Sequence, residues 1–149
     1  MNRDFLDLLQ ALCDEKARFL VIGAHALAAH GFPRSTGDLD VWVAMEPENA
    51  KRVWKALVAF GAPVDALEIL PTDFETRGRV VQLGTPPRRI DLLTEISGVE
   101  FEEAWQTRLV VEVQGMDVSF LGREALIKNK IASGRPKDMA DVSALHSKS

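Results

Sequence analysis

The sequence predicts a domain of the α+β class, with a mixed or antiparallel sheet flanked by helices. Short apolar runs typical of strands alternate with longer segments whose apolar residues recur at helical spacing. In chain order these segments read α-β-α-β-α-β-β-α-β-β-α-α, which lacks the regular βαβ repeat of a doubly wound fold. The 149 residues match one ordinary domain, residues 1–149, and no repeat, low-complexity tract or linker divides them.

The first part of the chain is predicted to contain three helices and two strands. Good helix formers before Gly31 predict the second helix, which that glycine closes. Pro47 suits the first turn of the third helix, and Gly61 suits its end. The predicted segments are a helix at 3–15, a strand at 18–22, a helix at 24–30, a strand at 39–43 and a helix at 46–61.

The remaining part is predicted to form two strand pairs and three helices. Residues 62–76 give no clear pattern, because Pro63 and Pro71 interrupt any long element. A hairpin is expected at 109–122 with its turn at Gln114 and Gly115. The other predicted segments are strands at 79–84 and 89–96, a helix at 100–108 and a final helical stretch broken around Gly134 and Pro136.

Composition restricts the class of protein. With 46% hydrophobic and 27% charged residues, the sequence resembles that of an ordinary globular protein. The formal net charge of −4 argues against a broad, non-specific nucleic-acid binder, which usually carries a basic excess. Cys13 is the single cysteine, so no intrachain disulfide can form, and we expect a cytoplasmic protein. No apolar run approaches the roughly 18 residues of a membrane span, so we expect no membrane partner.

Two aspartates at the start of an apolar strand are the first candidate site. Residues two apart in a strand share a face, so Asp38 and Asp40 lie on one side of the sheet. Leu39, Val41 and Val43 then lie on the other side, which is expected to be the core. Carboxylate pairs of this kind suit Mg²⁺ or Mn²⁺. The alternative is a simple turn, with Asp40 facing solvent.

A third aspartate, Asp91, lies inside an apolar strand, where a carboxylate is costly unless it has a partner. One interpretation is an ion pair with Arg88 or Arg89. The other is that this strand lies beside that of Asp38 and Asp40, so that three carboxylates converge. Such a group could hold divalent ions for an in-line phosphoryl displacement, with Asp91 taking the proton of the attacking hydroxyl.

The segment before the aspartates offers possible phosphate contacts. Gly23 separates a strand from a helix, where backbone N–H groups can hold a phosphate, although such a glycine is more often only a tight turn. Arg34 could hold a triphosphate and Thr36 could orient the loop; alternatively they are a surface arginine and a capping threonine. His25 at the helix start is expected to have a packing or surface role rather than to contact a ligand.

The C-terminal segment reverses the acidic character of the chain and suggests an anion-binding face. Glu124 and Asp138 oppose five basic residues there. The alternative is a solvated helix surface, with Asp138 and Asp141 pairing with these bases. The five basic residues are Arg123, Lys128, Lys130, Arg135 and Lys137.

Three motifs in order carry a family resemblance that extends from about residue 19 to residue 145. They are "GAHALAAHGFPRSTGDLDVWV" at 23–43, "RIDLL" at 89–93 and "ALIKNKIASGRPKDMADVSAL" at 125–145. Together they resemble the minimal nucleotidyltransferases of the DNA polymerase β superfamily, near the branch of the AbiEii-type toxin nucleotidyltransferases. The resemblance implies the polymerase β-like nucleotidyltransferase fold.

The resemblance also implies roles for individual residues. Gly23 and its neighbour Ala24 would hold the triphosphate. Asp38 and Asp40 would bind Mg²⁺ or Mn²⁺, and Asp91 would complete the metal site and act as the base. Ala24 departs from the family pattern, which has Gly or Ser at this position; its backbone N–H remains, without a serine hydroxyl or the freedom of glycine. The residues implied to contact nucleotide phosphates or the acceptor are Lys130, Arg135 and Lys137.

The expected activity is transfer of a nucleoside monophosphate from an NTP to an acceptor hydroxyl, with release of pyrophosphate. The acceptor expected from the resemblance is RNA such as tRNA, a protein side chain or a small molecule, and a toxin–antitoxin role is one implied context. Because the chain is short for gripping a large acceptor, we expect a homodimer or a partner protein such as an antitoxin. The alternative is a catalytically inactive nucleotide-binding or regulatory module of the same fold.

Overall fold

A mixed six-stranded sheet organises the computed structural model, which describes residues 1–32 and 37–147. Its spatial order is β3-β4-β2-β1-β6-β5. Within the sheet, β1 is antiparallel to β2 and parallel to β6, β2 is parallel to β4, and the pairs β3–β4 and β5–β6 are antiparallel. The strands are β1 (Phe19–Ile22), β2 (Leu39–Val43), β3 (Val80–Leu83), β4 (Ile90–Leu93), β5 (Leu109–Val113) and β6 (Met116–Phe120).

Helices cover both faces of this sheet. They are α1 (Arg3–Asp14), α2 (Gly23–Ala29), α3 (Pro47–Phe60), α4 (Phe101–Gln106), α5 (Arg123–Ser133) and α6 (Pro136–Ser147). Asn2 caps α1 by accepting a hydrogen bond from the Phe5 amide at 2.9 Å, which satisfies one of the free N–H groups of the first turn. None of the helices in residues 1–32 and 37–147 combines the length and apolar character needed to cross a membrane.

The predicted α+β class and the predicted order of helices and strands are confirmed. The structure adds a short 3-10 helix at Pro71–Glu75, within the segment where no clear pattern was found in the sequence. The predicted bounds exceed the observed ones by a few residues at several ends; the strand predicted at 89–96, for example, is β4 at Ile90–Leu93. Local periodicity therefore determines these elements, while hydrogen bonding sets their ends.

Two apolar cores lie on opposite faces of the sheet. The first contains Leu39 and Val41 of β2 together with residues of α1 and α3, as the alternation along β2 predicted. The second contains Trp42, which shares the face of Asp40 and is only 2% exposed, with residues of α2, α4, α5 and α6. The sheet face that carries the aspartates is therefore largely covered by this second core, and the carboxylates lie at its edge.

Candidate functional site

The pairing of β2 with β4 brings the three predicted aspartates together. In the parallel register of these strands, Asp40 lies directly opposite Asp91. Asp38 lies in the bend before β2, where its Oδ1 accepts a hydrogen bond from the backbone N–H of Arg89 at 3.0 Å. The sequence placed Asp38 and Asp40 on one face, and the strand pairing adds Asp91 to that face.

Arg89 lies directly against two of the three carboxylates. Its Nε is 2.9 Å from Oδ1 of Asp91, and its Nη2 is 3.3 Å from Oδ2 of the same residue. The same Nη2 atom is 3.4 Å from Oδ2 of Asp38. The ion pair weighed for Asp91 from the sequence is thus formed, and it coexists with the convergence of the carboxylates. The second contact, to Asp38, was not predicted.

Asp40 is the carboxylate that remains without such a partner. Among the described residues it accepts no hydrogen bond, and burial raises its pKa to about 6, with further increases from the charges of Asp91 and Asp38. The positive charges of Arg89 and Lys137 lower this pKa only in part. A half-buried carboxylate beside two like charges favours a further cation or a proton.

The three aspartates have the ligand atoms of a divalent metal site but not its arrangement. Carboxylate oxygens are the ligands that Mg²⁺ and Mn²⁺ prefer, and Asp40 has no direct counter-ion among the residues that the structure describes, so the residue types fit a hard divalent cation. In residues 1–32 and 37–147, however, no three His, Cys, Asp or Glu side chains are arranged to hold one ion. In the same part of the chain, Asp38 and Asp91 are both paired with the guanidinium of Arg89.

Gly23 allows the turn from β1 into α2 to approach Asp40 closely. Its φ is +68°, in the left-handed region that favours glycine. A Cβ at this position would lie 2.6 Å from Oδ2 of Asp40, well inside contact distance. The tight-turn interpretation therefore holds, with the added reason that the backbone must pass beside a site carboxylate. Its phosphate contact stays a prediction.

A cavity of about 400 Å³ opens between these segments. It gathers three stretches that are far apart in the sequence: the start of α2, the bend before β2 and the connection from α5 to α6. Of the predicted residues Asp91 does not line it, and Leu27 and Gly37 line it without having been predicted. The lining residues are Gly23, Ala24, Leu27, Gly37, Asp38, Asp40, Lys130, Arg135 and Lys137.

The basic residues of this cavity differ in their pairing. Lys130 is buried, with its Nζ 2.9 Å from Oδ2 of Asp141 and 3.5 Å from Oδ1 of Asp138. Arg135 binds Asp138 through two hydrogen bonds of 2.7 and 3.2 Å, which together with the nearby charges lower the pKa of Asp138. Lys137 forms no ion pair with any residue that the structure describes. The pairing alternative is therefore realised for Lys130 and Arg135 but not for Lys137.

Of the remaining candidate residues, the structure describes His25 but not Arg34 or Thr36. His25 is buried and packs edge-on against Phe5, with ring centroids 5.6 Å apart, as expected for a packing role. Burial lowers the pKa of His25, while a hydrogen bond with the backbone of Gly37 opposes this effect. His25 thereby connects α2 to the bend that carries Asp38.

A second cavity, of about 600 Å³, lies against the same face of the sheet. Ile22, opposite Asp40 in the register of β1 and β2, contributes to its lining. Leu93, two residues beyond Asp91 on the same face of β4, contributes as well. The sequence analysis did not predict this cavity, because the loop at 95–100 and α5 close it from the other side. This cavity therefore shares a face of the sheet with the carboxylates, whereas the cavity of about 400 Å³ is lined by Asp38 and Asp40 themselves.

The fold and the carboxylates agree with comparisons to known proteins. A family model described as nucleotidyltransferase of unknown function (DUF6036) matches residues 4–146. The chain belongs to this family. The expected nucleotidyltransferase family is therefore confirmed, whereas closeness to the AbiEii-type toxins stays a prediction. A comparison with curated proteins finds no significant match.

Two crystal structures share the fold. One is of a nucleotidyltransferase candidate from Thermotoga maritima, with a TM-score of 0.61 and 17% identity over 100% of this chain and 97% of the other. The second is of an antigenic nucleotidyltransferase-like protein from Paracoccidioides brasiliensis, with a TM-score of 0.53 and 17% identity over 95% of this chain and 74% of the other. At this identity they establish the nucleotidyltransferase fold, which confirms the fold predicted from the motifs.

Proposed function

We propose that the protein is a metal-dependent nucleotidyltransferase that moves a nucleoside monophosphate from an NTP to an acceptor hydroxyl. The observation that carries the proposal is that Asp40 and Asp91 lie opposite each other on adjacent strands, with Asp38 in the bend before β2, beside a cavity with basic residues. Family membership supports the same class of reaction. The carboxylates supply sites for a cation and a proton, and the basic cavity favours a polyanion such as a triphosphate.

The triphosphate is proposed to bind in the cavity of about 400 Å³. Lys137 contributes a positive charge that is not neutralised by any described carboxylate in direct contact, and Arg135 is largely exposed beside it. Gly23 and Ala24 line the same cavity, and their backbone N–H groups are proposed to donate to phosphate oxygens. Ala24 keeps this N–H group although it replaces the Gly or Ser of the resembling family. Arg34 and Thr36 are proposed to add contacts from their loop.

Asp38, Asp40 and Asp91 are proposed to hold Mg²⁺ or Mn²⁺. When bound, the ion would offset the negative charge that develops on the transferred phosphoryl group. The acceptor oxygen attacks the α-phosphorus, the bond between that phosphorus and the bridging oxygen to the β-phosphate breaks, and pyrophosphate leaves. The carboxylate of Asp91 is proposed to take the proton of the attacking hydroxyl, so that charge and atoms balance.

The acceptor is proposed to approach from the cavity of about 600 Å³. Ile22 and Leu93 place this cavity on the carboxylate face of the sheet. RNA such as tRNA, a protein side chain and a small molecule are the acceptor classes to be distinguished. A homodimer or an antitoxin partner, a toxin–antitoxin role and a cytoplasmic location stay predictions from the sequence.

A transfer assay tests this function. The protein would be incubated with each of the four α-³²P-labelled NTPs, Mg²⁺ or Mn²⁺, and tRNA, total RNA, lysate protein or small metabolites. We expect label to move to one acceptor class with one preferred NTP, and Asp38→Asn/Asp40→Asn to abolish the transfer. Absence of transfer from folded protein with every NTP and acceptor would contradict the proposal.

An inactive nucleotide-binding module is the second candidate. The ion pairs of Arg89 with Asp38 and Asp91 favour it, because they engage carboxylates that a catalyst needs. Ala24 at the phosphate-binding turn points the same way. A module of this kind would bind an NTP without metal-dependent turnover. Equilibrium binding of a non-hydrolysable NTP analogue, measured beside the transfer assay, distinguishes the two.

A further inference from the structure

Arg89 occupies the oxygens that a divalent cation would need. Its guanidinium contacts Oδ2 of Asp38 and both carboxylate oxygens of Asp91, at 2.9 to 3.4 Å. An oxygen that accepts a hydrogen bond from an N–H group is less available to a metal ion in that direction. The single arginine side chain therefore satisfies two of the three proposed metal ligands at once.

We propose that Arg89 is an internal counter-ion that competes with the divalent cation for Asp38 and Asp91, and that its guanidinium must leave before the metal site can form. The inference rests on the proposed function, since it concerns the same three carboxylates. It explains why aspartates placed together by the register of β2 and β4 are not arranged around a single ion.

The backbone of Arg89 stays anchored while its side chain can move. Its N–H donates to Oδ1 of Asp38 at 3.0 Å, and its carbonyl accepts from the Leu39 amide at 2.9 Å. The residue precedes β4, and its side chain is 31% exposed, so the guanidinium has a path to solvent. Its withdrawal thus requires side-chain rotation and no rearrangement of the sheet.

Competition follows from both contact and charge. A cation approaching Asp38 and Asp91 must replace the N–H contacts of Arg89, and it meets the positive charge of the guanidinium until that group withdraws. Asp40 accepts no hydrogen bond from the described residues, so Arg89 acts on it only through its charge, which lowers the pKa of this carboxylate. Removing the arginine charge should therefore strengthen metal binding, although it removes a favourable contact from the metal-free protein.

Arg88 provides a matched control for Arg89. It is the preceding residue, has the same side chain, is exposed, and forms no salt bridge within the described part of the chain. We would measure Mn²⁺ binding by calorimetry, without nucleotide, for the wild type, Arg89→Gln and Arg88→Gln. We expect Arg89→Gln to lower the Kd for Mn²⁺ by about fivefold, the scale of one partly exposed ion pair. Arg88→Gln should leave it unchanged.

A thermal melt with and without Mn²⁺ separates competition from a purely structural role. Without metal, we expect Arg89→Gln to have a lower melting temperature than the wild type. Addition of Mn²⁺ should raise the melting temperature of Arg89→Gln by more than that of the wild type. A purely structural arginine would lower the melting temperature without any gain in metal affinity. Arg89→Lys keeps the charge but cannot bridge both carboxylates through parallel N–H groups, so its Kd should fall between those of the wild type and Arg89→Gln.

The wild type provides a measurement that does not depend on the folding of a variant. In ¹⁵N–¹H spectra, the Nε–Hε signal of Arg89, assigned by its loss in Arg89→Lys, should shift on addition of Mg²⁺ while that of Arg88 stays in place. Saturating Mg²⁺ that leaves the Arg89 signal unmoved would overturn the inference. Equal or weaker Mn²⁺ binding by Arg89→Gln than by a metal-binding wild type would overturn it as well.

The same experiments separate failure of this inference from failure of the proposed function. If both wild type and Arg89→Gln bind no Mn²⁺, the metal-dependent function fails and the inference fails with it. If the wild type binds Mn²⁺, Asp38→Asn/Asp40→Asn does not, and Arg89→Gln shows no gain, only the role of Arg89 is rejected.

Discussion

At the scale of the residue, Asp40 is held among charges of its own sign. Its carboxylate lies opposite Asp91 and near Asp38, while the nearby positive groups are Arg89 and Lys137. Burial and these like charges together raise its pKa to about 6, so the neutral form is more strongly favoured in the folded protein than in the unfolded chain. The same residue is therefore a source of instability without metal and a natural point for a cation to bind.

This shift predicts a pH-dependent stability of the metal-free protein. Because the folded-state pKa of Asp40 is above the unfolded value of 3.8, its stabilising contribution is present at about pH 4 and lost as the pH rises through about 6. As the pH rises over this range, the unfolding free energy of Asp40→Asn should therefore increase relative to that of the wild type. At about pH 7 the gain in unfolding free energy should be about 1 kcal/mol, a figure reduced for the partial exposure of the side chain.

Urea unfolding in EDTA at several pH values between about 4 and about 7 measures the effect. Asp65→Asn, at an exposed position, serves as the control and should follow the wild type. If the curves of Asp40→Asn and wild type run parallel over the whole range, Asp40 does not titrate as its surroundings indicate.

At the scale of the element, the hairpin of α5 and α6 presents one basic side chain and buries another. Gly134 ends α5 in a left-handed conformation with φ +67°, which lets the chain reverse into α6. The buried Lys130 of α5 then pairs with Asp138 and Asp141 of α6. This pairing holds the two helices together and leaves Lys137 at the cavity.

Lys130 and Lys137 should therefore respond differently to substitution. Lys130→Met leaves two buried carboxylates without their shared partner and should lower the unfolding free energy by about 3 kcal/mol. Lys137→Ala should change stability by less than about 0.5 kcal/mol. It should weaken binding of a non-hydrolysable NTP analogue by about tenfold, the scale of one charge-assisted phosphate contact.

Urea unfolding and calorimetric titration of the two variants provide the comparison. Normal nucleotide affinity in Lys137→Ala would remove that residue from the proposed phosphate site. A stable Lys130→Met with weak nucleotide binding would instead assign to Lys130 the direct contact expected from the sequence.

At the scale of the whole molecule, the sheet separates two cores with different consequences for the site. Leu9 of α1 belongs to the core on the face away from the aspartates, whereas Leu126 of α5 belongs to the core on their face. Both leucines are almost fully buried. Since α5 also carries Lys130 into the cavity, the second core couples packing to the geometry of the site.

Truncating a leucine in either core should thus cost the same stability, but the two truncations should differ in their effect on nucleotide binding. Leu9→Ala and Leu126→Ala should each lower the unfolding free energy by about 3 kcal/mol. Below the melting temperature of both variants, only Leu126→Ala should weaken binding of the NTP analogue. Equal binding by the two variants would show that the position of α5 does not control the nucleotide cavity.

Local signals were enough to predict most of the fold and most of the residues that line the cavity of about 400 Å³. Apolar periodicity predicted the strand of Asp40, and the pattern of Gly23, Asp38, Asp40 and Asp91 indicated the family. Prediction failed where the outcome depends on distant partners. The contact of Arg89 with Asp38 joins the segments before β4 and β2, which are far apart in the sequence. The burial of Lys130 depends on how α6 packs against α5.

Spacing, turn residues and motif order are enough to predict the order of helices and strands, the common face of Asp38 and Asp40, and the family to which the chain belongs, because these signals act over a few positions. Three features of the site depend instead on the folded chain. They are the position of Asp91 opposite Asp40, the contacts of Arg89 with Asp91 and Asp38, and the position of Lys137 at the cavity without a carboxylate partner among the described residues. Local periodicity does not encode these features, because strand pairing and the choice of ion-pair partners are set by competition among groups far apart in the chain.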